Sequence, residues 1–267
     1  MKHNKTLKDL NLLDRFLFAE AADDPEFMEL VLEIILGKEI VLKHLPQTEK
    51  ENRAALWSRQ VKLDVWSMDI EDSIYDVEVQ NRNTGSLLKR TRLYHGLIDS
   101  KLLPPGTVDY NSLNDVFVIM IMPFDLFGRG LYRYTFKKTC LEIPELEMQD
   151  GSTTIFLSTR GRDKTGVSDE LISLLEYFEH TTAAAASKSQ SDRILRLQEK
   201  VEAIRANEEV GVKLMNAWEE KIYEREDGRR EGRQEERKNL ISKLKEKLSD
   251  EEIAELTGIP IADIKAI

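Results

Sequence analysis

Cysteine is nearly absent from this chain of 267 residues: Cys140 stands alone, beside four histidines and seven prolines. A single thiol excludes an internal disulfide and any thiolate metal site, and it fits a reducing compartment, so the cytoplasm is the expected location. Long apolar runs are missing too. The longest, residues 116–123, falls far short of a bilayer span. The N-terminal MKHNKTLKDLNLLDRF has a basic start but no continuous apolar stretch, so neither export nor a membrane partner is expected. Positive charge is also in deficit, with 39 Lys and Arg against 49 Asp and Glu and a net charge of −10. That balance argues against binding nucleic acid by bulk electrostatics, and a nucleic-acid site would need a local basic patch. The sequence contains no Walker loop, dinucleotide fingerprint, nucleophile elbow or zinc motif.

What is present is a succession of short periodic segments. Leu13, Phe16 and Leu17, then Phe27, Leu30, Val31 and Ile34, follow helical spacing. Asp24-Pro25 between them reads as an N-cap with proline at the first helical position, and Gly37 as a stop. Strands are expected at 40–45, 61–66 and 75–80, the last two antiparallel neighbours joined by the polar residues 68–73. Ser86 should cap a helix through LLKRTRLYHGLIDSKLL that ends at Pro104-Pro105-Gly106. DVFVIMIMP, apolar on both faces, reads as a central strand. LYRYTFKKT and TTIFLST are further strands, Asp125-Leu126-Phe127-Gly128 reads as a turn, and Ser168 caps a helix. The expected class is α/β, a mixed central sheet flanked by helices, in a domain covering residues 1–181.

Beyond Thr181 the sequence turns highly charged and helical. Ile194, Leu197, Val201, Ile204, Gly211, Met215, Trp218 and Ile222 follow three-four spacing, with Glu208 filling one position, as in a short coiled-coil seam suited to a homo-oligomer. The seam fades at EREDGRREGRQEERK. This charged, partly coiled-coil segment covers residues 182–248. Residues 249–267 form a short helical hairpin, with Ser249 and Glu252 at capping-box spacing and Gly258 as a stop. The hairpin resembles part of a helix-turn-helix that lacks its third helix.

Chemistry can sit on the 61–66 and 75–80 strands. Residues two apart share a face, so Lys62, Asp64 and Trp66 go together, as do Asp76, Glu78 and Gln80. If the hairpin pivots on Glu71, Asp64 lies opposite Glu78 and Lys62 opposite Gln80, with Cβ atoms about 5 Å apart. Two carboxylates beside an amine and an amide suit a hydrolytic magnesium site. An ordinary hairpin with a solvated polar face has the same spacing, and a slip of one residue would part the acids. Lys89, Arg90, Arg92 and Tyr94 follow on one helix and could grip phosphates; a solvated helix face is the other reading. His95 has no partner at ligand spacing.

The sequence Asp64…Glu78-Val79-Gln80 resembles the D…(D/E)-x-K signature of PD-(D/E)XK nucleases, in the E-x-Q form of the recombination-promoting nuclease/putative transposase family. The resemblance spans nearly the whole chain: FLFAEAADDPEFMELVLEIILGKEI, VKLDVWSMDIEDSIYDVEVQNR, LLKRTRLYHGLID, DVFVIMIMPFDLFG, YRYTFKKTCLEIP and DGSTTIFLSTRG are similar to that family's successive blocks, and EDGRREGRQEERK before LSDEEIAELTGI to its ending. It implies a restriction-endonuclease-like core with Asp64 and Glu78 as ligands of Mg2+, or Mn2+ in its place, and the Val79 carbonyl as a third. Glu20, in FLFAEAA, matches the helix acid that some superfamily members add to the metal site. Gln80 departs from the commoner lysine and brings no positive charge; Lys62 is the candidate to supply it. The implied function is Mg2+-dependent DNA cleavage linked to recombination or mobile elements. The alternative is a catalytically weak nuclease fold that binds DNA or protein.

Overall fold

A computed structural model describes residues 6–43, 46–52, 61–103, 106 and 109–266, with the backbone alone at 47–52 and 61–64. The chain divides into two compact units, Met1–Gly211 and Val212–Ile267.

The first unit opens with α1 (Arg15–Ala22) and α2 (Pro25–Leu36). The Asp14 and Asp24 carboxylates accept N–H bonds from Phe16 and Glu26, and Gly37 ends α2 in the left-handed conformation at φ 70°. Strands β1 (Gln47–Asn52), β2 (Val61–Met68) and β3 (Ile74–Val79) follow, then α3 (Leu87–Leu102), β4 (Val116–Met122), β5 (Arg133–Phe136), β6 (Ser152–Ser158) and α4 (Asp169–Glu179). The six strands form one mixed sheet in the order β1-β2-β3-β4-β6-β5. β3, β4 and β6 run parallel at its centre, and the antiparallel pairs lie toward the edges. β4 is buried almost throughout, as a strand covered on both faces must be.

One expectation about strands needs correction. The segment 40–45 is not a strand in its described part: Leu42 makes only an isolated bridge to Asp69, and His44 and Leu45 lie outside the described residues. The edge strand is instead QTEKEN, which no apolar alternation announces. Pro104 and Pro105, expected to end α3, also lie outside the described residues; α3 stops just before them, at Leu102.

α4 leads into α5 (Ala183–Ser189) and α6 (Asp192–Ala206). Ile194, Leu197 and Val201 of α6 are fully buried, and α6 packs on α1 and α2. Charged ties reinforce the packing: Lys200 to Asp24 at 2.6 Å, Arg193 to Glu170, and Arg205 to the Leu10 carbonyl at 2.8 Å. The first half of the expected seam is therefore core of this unit, and the compact unit runs past Thr181 to Gly211.

α7 (Glu208–Lys245) runs 38 residues, continuous through Gly228 and Gly232, where the apolar seam gives way to exposed charged residues. Its last turns join α8 (Asp250–Thr257) and α9 (Ile261–Lys265) around a small core of Ile241, Ile253 and Ile264. Among the described residues no helix is long and apolar enough to cross a membrane.

Candidate functional site

The β2–β3 turn sets the geometry of the site. The buried Asp69 accepts N–H bonds from Glu71 at 3.0 Å and Ser73 at 2.8 Å, and the Tyr75 hydroxyl donates to it at 2.6 Å. Burial first, and the Asp69 carboxylate second, push the Tyr75 phenol well above its ordinary pKa, so it remains a donor. Asp72 takes a left-handed conformation at φ 66° to close the turn. From there the ladder runs Met68↔Ile74, Ser67↔Tyr75, Trp66↔Asp76 and Val65↔Val77. Continued by one residue in β2 and β3, it puts position 64 opposite Glu78, the register of a hairpin centred on Glu71. The side chains of Lys62 and Asp64 lie outside the described residues.

The registers extend this assignment across the sheet. Val65, Val77, Ile119 and Ile155 form one file on one face. Glu78, Met120, Phe156 and Tyr134 form a file on the other, next to the file of Asp76, Val118 and Thr154. α3 covers this second face: Tyr94 and Ile98 pack with Ile74, Val116 and Val118. The acids thus lie between sheet and helix, Asp76 at 0% and Glu78 at 3% exposure.

Arg90 and Tyr94, one turn apart on α3, reach the acid file. Arg90 Nη2 donates to Gln80 Oε1 at 2.7 Å and to Glu78 Oε2 at 3.4 Å, and the Tyr94 hydroxyl donates to the same Glu78 oxygen at 3.4 Å. The guanidinium carbon stands 5.6 Å from the centre of the Tyr94 ring. A cleft of about 320 Å³ opens here, walled by Arg15, Glu78, Gln80, Arg82, Arg90 and Tyr94 among others. Three arginines line one small cleft, a local basic patch on a chain of negative net charge.

The remaining candidates scatter. Lys89 and Arg92 are exposed on α3, and Arg92 borders a different cavity. Glu20, half-buried on α1, is not in the wall of the acid cleft. Sequence reasoning placed Asp76 on the right face without a role, although it is the more deeply buried of the two described acids. Arg15 was missed, and no local pattern signals it, because α1 joins the cleft only through the tertiary fold. Among the described residues no group of three or more His, Cys, Asp or Glu side chains could hold a metal ion. The donor type on this face, carboxylate oxygen, is the kind that a hard cation takes.

A larger cavity, about 680 Å³, lies under the other flank of α3, with Phe127, Phe136 and Phe156 in its wall. Of its ionisable groups, Lys138 pairs with Asp150, and His95 is bonded to Thr154 at 3.0 Å and Ser152 at 3.3 Å. The acid cleft is the smaller of the two, but it holds the groups that could do hydrolytic chemistry. No family model matches the chain, and neither curated proteins nor solved structures give a match to it.

Proposed function

We propose that the chain is a Mg2+-dependent DNA phosphodiester hydrolase with a PD-(D/E)XK core. The observation that supports this reading is the β2–β3 ladder, which runs to Val65↔Val77 and, continued by one residue, would set position 64 opposite Glu78, itself in the wall of a cleft with Arg15, Arg82 and Arg90. Asp64, Glu78 and the Val79 carbonyl would hold the ion; Mn2+ suits the same oxygens. A bound divalent cation supplies a water of lowered pKa and neutralises phosphoryl charge. The chain's own groups do the rest. The arginines grip the phosphates on either side of the scissile bond, and the α3 cover limits water to the open end of the cleft. A water oxygen bonds to phosphorus as the bond from phosphorus to one sugar oxygen breaks. One water proton passes to solvent and the leaving oxygen takes one up.

A weak, non-catalytic module that binds DNA or protein is the second reading, and one observation favours it. Position 80, where the commoner signature has lysine, carries Gln80, an uncharged amide engaged at both ends. Cleavage of supercoiled, duplex and single-stranded DNA in Mg2+ separates the two. Asp64→Asn, which removes a ligand charge but keeps size and shape, should abolish cleavage without lowering the melting temperature. Undiminished cleavage by that variant would remove the assigned site, and absence of Mg2+ binding by the wild type would favour the module.

A further inference from the structure

We infer that Arg90 is the group that balances charge on the phosphoryl oxygens, and that Gln80 is the positioning residue that aims it. This rests on the hydrolytic reading above.

Gln80 is held at both ends of its amide. Its Nε2 donates to the Arg82 carbonyl at 2.7 Å, which turns Oε1 toward Arg90, and Arg90 Nη2 donates to that oxygen at 2.7 Å. The reversed amide would set an NH2 against a guanidinium, donor against donor, so the two contacts fix the orientation together. Arg90 is steadied besides by the Tyr94 ring and by Glu78, and its side chain keeps 27% exposure on the cleft side. A phosphate entering the cleft would meet a guanidinium already aimed, so little reorganisation would be needed as charge builds on the non-bridging oxygens. Arg90 transfers no proton in this step, because a guanidinium keeps its charge in a protein.

Lysine at position 80 could not play the part of this glutamine. An ammonium has no acceptor for Arg90 and would set a second cation beside the guanidinium, where like charges repel. The E-x-Q form and the α3 arginine thus work as one unit. Restoring the commoner lysine alone should harm this chain.

The experiment compares wild type, Arg90→Gln, Gln80→Lys, the double variant Gln80→Lys/Arg90→Gln, and Lys62→Met. Each is measured by Mn2+ calorimetry without DNA, by thermal melting, and by the kcat for cleavage of supercoiled plasmid. Arg90→Gln should lose about 100-fold in kcat, as removal of one transition-state donor does, while binding Mn2+ within about threefold of wild type. Gln80→Lys alone should fall by at least about tenfold through displacement of the guanidinium. The double variant, which moves the charge to the strand, should recover at least about tenfold over Arg90→Gln, a rescue that a merely structural role would not give. The inference is overturned if Arg90→Gln cleaves like wild type, if Gln80→Lys matches or exceeds wild type, or if the double variant shows no recovery. It is also overturned if only Lys62→Met is impaired. In each of these cases a wild type that binds Mn2+ and cleaves leaves the hydrolytic reading standing. A wild type that neither binds Mn2+ nor cleaves overturns both.

Discussion

At His95 the competition is between a proton and a buried cavity wall. Loss of water pushes the imidazole pKa down to about 4 from 6.5, with the Lys138 charge adding to the shift and Asp150 opposing it. Between those values the unfolded chain takes up a proton that the folded chain refuses, so stability falls as pH drops through that window and is intact above it. The full loss, reached near pH 4, is on the order of 3 kcal/mol. Asp99, in the same cavity wall, has its pKa raised from 3.8 by burial. It binds a proton more readily when folded and so works in the opposite sense, at the acid end of the range. The groups facing His95 are otherwise Ser152 and Thr154, which do not titrate there. Melting temperature followed from pH 6.5 to 4 should drop less steeply for His95→Gln than for wild type. Parallel curves would mean that the imidazole is not what the folded state keeps neutral.

Elements add what single residues cannot, namely the register that decides which side chains meet. Asp69 is the clearest case, since one carboxylate gathers two turn N–H groups and the Tyr75 hydroxyl. Asp69→Ala would leave those donors without their acceptor and should cost about 2–3 kcal/mol in urea unfolding. If the turn sets the register and the proposed metal site is right, Asp69→Ala should also weaken Mn2+ binding, because position 64 would no longer stay level with Glu78. Unchanged stability and metal affinity would show that the strands find their register without it. The hairpin itself was legible in the sequence: β2 and β3 alternate cleanly, and a short connection symmetric about Glu71 leaves little room for another pairing. β1 was not legible, because QTEKEN is polar at every position, as an edge strand can be. The meeting of Arg90 with Gln80 was half legible. Helical spacing puts Arg90 and Tyr94 on one face of α3, but only the crossing of helix over sheet selects them over Lys89 and Arg92.

For the whole molecule, the tail shows why helical periodicity alone misleads about partners. An apolar stripe has the same spacing whether it covers the chain's own helices or those of another copy. Ile194, Leu197 and Val201 close over α1 and α2, whereas further along the same expected seam Met215 is 64% and Ile222 46% exposed. The two halves should therefore separate in experiment. A chain ending at Thr181 strips three fully buried side chains, each contributing about 1.5–3 kcal/mol, a total comparable with the entire stability of an ordinary domain. It should be unfolded or aggregated, with no cooperative melt. A chain ending at Gly211 keeps α6 and should melt cooperatively. If the exposed half of the seam joins copies, that shorter chain should sediment as a monomer while the full chain does not. A full chain and a Gly211-ended chain with the same mass distribution, in units of the protomer, would remove self-association from the tail. A cooperative melt for the chain ending at Thr181 would instead show that α6 adds little to the fold of the first unit.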